Sequence, residues 1–282
     1  MKLKNYAKQI FIFLKKISKR NRSPFGQIFS LLIILIFVFT IYSFTEKPIK
    51  IGKFEIKQNG IKEFFSPSEP LLAYCLVNPR DFAKVETTPI DSSAQRFLLI
   101  GDSMLEGLGL RLNDYCKENG HTMNSVIWYS SSTLWYGNCD TISYFIKKFD
   151  PTYIILVIGG NELFIKDILK DREPFAKNIL KQVGDRKYIW VGPPNWKKDS
   201  GINKLILKNV GRQRYFPSLN LTFDRCKDGA HPTTKSAGAW MDSIASFMMN
   251  KCMNPVIMDF PKEKASKRPP TTVLGPHPPE GL

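Results

Sequence analysis

The apolar run Arg96-Phe97-Leu98-Leu99-Ile100 closes on Gly101-Asp102-Ser103, and a second run, Tyr153 to Ile158, closes on Gly159-Gly160-Asn161. Short runs of this kind, bounded by turn residues and without polar alternation, read as strands covered on both faces, the situation of a parallel sheet. Met123–Tyr129 and Tyr188–Val191 are further strand candidates, and Tyr215-Phe216 is a candidate edge strand. Between and after these lie stretches of helical spacing. Met104, Leu105, Leu108, Leu110, Leu112 and Tyr115 precede the stop at Asn119-Gly120, and 142–149, 175–182, 204–210 and 236–250 follow. Strand and helix in alternation predict an α/β fold, a three-layer, doubly wound, mostly parallel sheet over residues 95–253.

In open sheets of this type, sites form outside the carboxyl ends of the strands. Ser103 and Asn161 both fall there, and Asp228-Gly229-Ala230-His231 lies just before the last helical stretch, which Pro232 opens. A serine hydroxyl is a poor nucleophile until a base takes its proton, and an imidazole held by a carboxylate is the usual solution. His231 supplies the imidazole, and Asp228, three residues earlier, supplies a carboxylate that turns back onto the ring N–H. Backbone N–H groups at the Ser103 turn and the Asn161 amide are the groups suited to a developing oxyanion. Each motif has a structural alternative: Asp102 or Ser103 as a helix cap, Asn161 as another cap, and Asp228 with His231 as a surface turn. His121 and His277 have no partner at motif spacing.

These three blocks, in this order, resemble the SGNH hydrolase (GDSL-like esterase/lipase) family over roughly residues 95–252. The resemblance implies Ser103 as nucleophile, His231 as general base and Asp228 as its orienting partner. It implies an oxyanion hole built from the Ser103 N–H, Asn161 and one further backbone N–H. The family glycine that supplies this last donor, after the second strand in chain order, has no match after Val126-Ile127-Trp128-Tyr129, where Ser130-Ser131-Ser132 stands. The position falls at about Ser131, with Gly137 as the alternative. The implied chemistry is attack on an ester carbonyl, an acyl-enzyme, and transfer to water or a sugar hydroxyl, with no metal or organic cofactor. Asp102, Gly160, Trp135 and Trp196 are the candidate substrate-binding residues. The tryptophans either stack on sugar rings or pack the core.

The formal charge of +16 suggests nucleic acid at first sight, but +8 of it precedes residue 25 without one acid. Residues 25–261 carry about +6 with no long basic run, so no nucleic-acid partner is expected. After the basic arm, 1–24, Phe25 to Phe44 is free of charge, and as a helix it spans a hydrocarbon core of ~30 Å. It reads as a transmembrane helix over 25–45, with a cleaved signal peptide and a buried soluble helix as the competing readings. The positive-inside rule places the N-terminus in the cytoplasm and the remainder on the outer side. A membrane-tethered, outward-facing member of the resembled family implies a partner of the acylated-glycan type. Residues 46–94 read as a juxtamembrane spacer or small cap, and 254–282, rich in proline and lysine, as a flexible tail. Cys75, Cys116, Cys139, Cys226 and Cys252 give no metal-ligand spacing and no assignable disulfide framework. A non-catalytic envelope-binding protein on the same fold is the reading from another class.

Overall fold

Five of the six residues of strand β3 (Arg96–Gly101) are buried, and all five of β5 (Tyr153–Val157) are, so both strands lie inside a sheet covered on its two faces. The computed structural model describes residues 49–51, 54–56, 88–265 and 267–281. The expected basic arm and transmembrane helix, and most of the expected spacer, lie outside the described residues. Within the spacer, β1 (Ile49–Ile51) and β2 (Phe54–Ile56) pair antiparallel. None of the described helices is long and apolar enough to cross a membrane.

From residue 88 onward the chain alternates strand and helix as the spacing predicts. After β3 come α1 (Glu106–Asn119), β4 (Thr122–Trp128), α2 (Thr133–Gly137), α3 (Thr141–Phe149) and β5. Then follow α4 (Ile168–Asp171), α5 (Glu173–Val183), β6 (Lys187–Val191), α6 (Ile202–Val210), β7 (Tyr215–Phe216), α7 (Thr234–Asn250) and β8 (Thr271–Leu274). The six strands β3–β8 form one parallel sheet in the order β7-β6-β5-β3-β4-β8. The order reverses direction at β3, and the carboxyl ends of β3, β4 and β5 there define the site edge.

One sheet face carries Phe97, Leu99, Met123, Ile127, Tyr153, Ile155 and Val157 against α1 and α7, whose Leu108, Leu112, Trp240, Met241 and Ile244 are fully buried. Each large side chain of this set contributes roughly 1.5–3 kcal/mol by leaving water. α1 and α7 approach closely at Gly107, where a Cβ would sit 2.4 Å from the Ala237 Cβ. On the other face, the fully buried Ile154, Leu156 and Trp190 point away from that cluster, and α2, α3, α5 and α6 supply Tyr136, Ile142, Ile179 and Leu205 as buried partners.

The expectation of a flexible tail over 254–282 is corrected. Val256 and Met258 are buried in the main core, and Asp91 brackets Val256 through Asp91 N–H to Pro255 O (2.9 Å) and Ile257 N–H to Asp91 O (3.0 Å). Thr271–Leu274 then pairs in parallel with Ser125–Trp128. The physical reason is the edge of β4, whose unpaired backbone groups need a partner. The β-branched Thr271-Thr272-Val273 supplies it. Pro269-Pro270 and Gly275-Pro276 frame so short a strand that composition alone reads as a tail.

Candidate active site

The site begins where β3 and β5 come too close for any side chain: a Cβ on Gly101 would lie 1.8 Å from the Val157 carbonyl oxygen. The chain then turns, with Asp102 N–H bonded to that same oxygen at 2.9 Å. The Asp102 carboxylate is buried, and three backbone N–H groups donate to it: Met104 to Oδ1 (3.0 Å), and Gly159 (3.2 Å) and Gly160 (2.9 Å) to Oδ2. Asp102 therefore fastens the Ser103 turn to the turn after β5. Burial pushes its carboxyl up to about 6, and the three N–H donors pull the other way. The expected substrate-binding role of Asp102 is thus corrected, because the carboxylate is enclosed by backbone donors. Ser103 itself opens a 3-10 turn, Ser103–Leu105, and α1 starts only at Glu106, so one tight turn separates the hydroxyl from the α-helix expected directly after it.

The imidazole comes from a hairpin-like loop. Cys226 N–H donates to His231 O (2.8 Å) and Thr233 N–H to Asp224 O (2.8 Å), while Gly229 turns the tip at φ +70°. Inside this loop Asp228 Oδ1 accepts from the Ala230 (2.8 Å) and His231 (3.0 Å) N–H groups, and Oδ2 faces His231 Nδ1 at 2.8 Å. The Ala230 N–H first, and His231 next, hold the Asp228 carboxyl down to about 2. A carboxylate at Nδ1 favours the tautomer with its proton there, which turns the Nε2 lone pair toward Ser103 Oγ, 2.8 Å away. Ser103, His231 and Asp228 thus stand within bonding reach although 128 residues separate the first two. Arg225 steadies this loop from below. Its guanidinium donates to Ala230 O, to Pro194 O (3.1 Å) and to Asn195 O (3.0 Å), joining the histidine loop to the segment after β6.

On the opposite side, Asn161 Nδ2 donates to Ser131 O at 2.9 Å. An amide carries two N–H bonds, so one remains for a ligand. The Ser131 N–H donates to Trp128 O at 3.2 Å across a turn whose Ser130 lies at φ +60°. This corrects the expected role of Ser131: its N–H is bonded within the turn, and its carbonyl orients Asn161 instead. Gly137, the alternative position, ends α2 with the Phe175 backbone against it and is equally enclosed.

Sequence reasoning missed the acid beside Asn161. Glu162 is buried and accepts from the Thr133 N–H (2.8 Å), from Thr133 Oγ1 (2.8 Å) and from Arg172 Nε (2.9 Å). Asn161 and Glu162 together therefore grip residues 131–133, fixing the turn after β4 to the turn after β5. The only sequence signal was an acid directly after Gly159-Gly160-Asn161. Glu162→Gln leaves the largely buried Arg172 guanidinium without its counter-charge, and is expected to cost about 3 kcal/mol of stability. Thermal unfolding monitored by circular dichroism checks this, and an unchanged midpoint would refute the clamp.

Three further candidate residues make contacts within the protein. Gly160 gives its N–H to Asp102 and its carbonyl to Trp196 Nε1 (2.9 Å), so its expected substrate-binding role is corrected: its backbone is engaged within the protein. Trp196 is pinned by that bond and is partly buried against the main core. Trp135 tilts against Trp128 at 5.5 Å between centroids, so packing is its visible role. Among the described residues all four cysteines are free thiols and no cluster of His, Cys, Asp and Glu could hold a metal.

No family model matches the chain, and no curated protein matches its sequence. Among solved structures, the psychrotrophic esterase EstA from Pseudoalteromonas sp. is similar at 14% identity and TM-score 0.43, covering 54% of this chain and 96% of that one. The family 3 carbohydrate esterase of Clostridium thermocellum is similar at 17% identity and TM-score 0.41, covering 55% and 94%. TesA is similar at 14% identity and TM-score 0.42, covering 55% and 98%.

Proposed function

We propose that this chain is a serine-dependent ester hydrolase working through an acyl-enzyme. The observation that carries the reading is the continuous chain of contacts from Ser103 Oγ to His231 Nε2 and from His231 Nδ1 to Asp228 Oδ2, each 2.8 Å long. Ser103 Oγ attacks the ester carbonyl carbon while its proton passes to His231 Nε2, and the carbonyl electrons move onto oxygen. The remaining N–H of Asn161 and the Ser103 backbone N–H, which has no acceptor among the described residues, are the donors for that oxyanion. Collapse expels the alcohol, which takes the proton from His231. Water, deprotonated by the same imidazole, then releases the acid and restores Ser103.

The substrate class is an O-acyl, most simply O-acetyl, group on a cell-envelope glycan. Its support is the exposed ring of Phe164 with the partly exposed Trp196, joined to it through Lys197, which suits a sugar face, together with the sequence pattern of residues 1–50. On that pattern the chain is anchored by residues 25–45 with its N-terminus in the cytoplasm and residues 88–281 on the outer side.

The experiment is covalent labelling with a fluorophosphonate, which phosphonylates only an activated serine. The full-length protein is expected to take one label, on Ser103, and His231→Ala to slow labelling by about 10³-fold or more. Equal labelling of the two proteins would refute the assignment of the base.

A further inference from the structure

Three residues beyond Asn161, Phe164 stands 57% exposed, a large apolar ring left in water at the rim of the site. Lys197 lies across it, its Nζ 5.6 Å from the Phe164 centroid and 4.5 Å from that of Trp196. Trp196 is itself fixed by its indole N–H on Gly160 O, the residue before Asn161. A lysine held over two ring faces has lost part of its rotamer freedom before any ligand arrives, so it presents its charge at a defined place.

The carboxylates around the cleft leave that charge uncompensated. Asp102 is enclosed by three N–H donors, Glu162 is paired with Arg172, and Asp228 is bonded to His231. Asp199, two residues from Lys197, turns the other way: it accepts from Gly201 N–H (2.7 Å), Ile202 N–H (2.8 Å) and Asn203 Nδ2 (2.9 Å) at the start of α6. Among the described residues no carboxylate pairs with Lys197. Arg225, on the facing loop, bonds only backbone carbonyls among them. Lys198 and Lys227, on the same two segments as Lys197 and Arg225, are exposed and carry the same sign.

We propose that Lys197, held by Trp196 and Phe164, is a specificity-determining residue that selects esters carrying an anionic group, a carboxylate or a phosphate, on the sugar that bears the acyl group. The proposal rests on the esterase reading for its location and for the hydrolysis arm of its test, but the binding arm is independent of that reading. The sugar face meets the aromatic rings, and the anionic substituent meets the ammonium. A neutral glycan ester makes only the first contact.

The test uses the full-length protein in nonionic detergent. Acetate release is followed from acetylated glucuronic acid against its neutral methyl ester, and from acetylated glucose 6-phosphate against acetylated glucose, so that the two pairs tell carboxylate from phosphate. The wild type is expected to favour the charged member of at least one pair, and Lys197→Met to lower that charged-to-neutral ratio of kcat/KM by roughly fivefold, the effect of a partly solvated ion pair. Salt is expected to lower the ratio in the wild type but not in the variant. Equal rates within both pairs, or a ratio unmoved by Lys197→Met, overturn the proposal. Calorimetric binding of glucuronate, glucose 6-phosphate and glucose runs in parallel. Binding of an anionic sugar that is lost in Lys197→Met, with no hydrolysis of any ester, would sink the esterase reading and keep the anion site. Hydrolysis without any difference between charged and neutral sugars would do the reverse.

Discussion

Ser103→Ala is expected to lower kcat for any ester the protein turns over by about 10⁴-fold or more, with KM little changed. The hydroxyl is the only atom in the site that forms a bond to the substrate in the proposed reaction, whereas binding is made by the rim and the oxyanion donors. Removing Oγ leaves the Asp102 clamp untouched, since it is built from backbone N–H groups of Met104, Gly159 and Gly160. The variant therefore folds with the wild-type unfolding midpoint, which separates lost chemistry from lost structure. Stopped-flow or steady-state assay of a chromogenic acetyl ester reads the effect. A Ser103→Ala protein retaining a tenth or more of wild-type kcat would remove Ser103 from the mechanism.

The largest expected effect on stability belongs to Gly101→Ala. Its Cβ would lie 1.8 Å from the Val157 carbonyl oxygen and 2.5 Å from the carbonyl carbon. Those atoms belong to the neighbouring strand, and the oxygen already accepts the Asp102 N–H at 2.9 Å, so neither side can withdraw without opening the sheet at β3 and β5. A loss of about 4 kcal/mol or more is expected, enough to leave little folded protein. Gly120→Ala is the matched control. It too has no Cβ, and its φ is +68°, but nothing lies within 4 Å, so only the left-handed conformation is penalised, at about 1–2 kcal/mol. Chemical denaturation of both variants checks the ranking, and a Gly101→Ala protein as stable as Gly120→Ala would mean that β3 and β5 are not in this register.

Much of the sheet was legible because its strands are buried on both faces. Such strands must be apolar throughout, and β3, β5 and β6 announce themselves as uninterrupted runs ended by glycine. The helices α3, α5, α6 and α7 follow from spacing to within two residues at each end. What escaped notice was short or held from a distance. α2 has five residues and is bracketed by a serine cap and an asparagine, too few for a period to register. β8 owes its conformation to the free edge of β4 rather than to its own composition.

For the site, chemistry and placement part ways. The serine, the DxxH loop and Asn161 were readable as candidates, since the proposed chemistry requires those residue types, two of them after strands and one before the last helix. The supporting shell was not. Asp102 looks like any capping residue until its second oxygen is found on Gly159 and Gly160, more than fifty residues on. Glu162, Arg172, Thr133 and Arg225 carry no motif at all, because a buried ion pair is defined by burial and by partners that no linear spacing encodes. Ser131 shows the same limit from the other side. Its place in the chain suggested a donor, and the left-handed Ser130 beside it rotates that N–H onto Trp128.

The sequence by itself determined the layered α/β architecture and singled out Ser103, His231 and Asp228 as the candidates for nucleophile, base and orienter, because burial pattern and reaction chemistry each restrict residue type locally. Only the tertiary structure decided that Ser103 and His231 meet at 2.8 Å, that Asp102 clamps rather than binds, and that Lys197 lies across Trp196 and Phe164. Those are facts of distance between segments far apart in the chain. They arise when the parallel sheet brings its carboxyl ends to one rim, and no local preference of any single segment contains them.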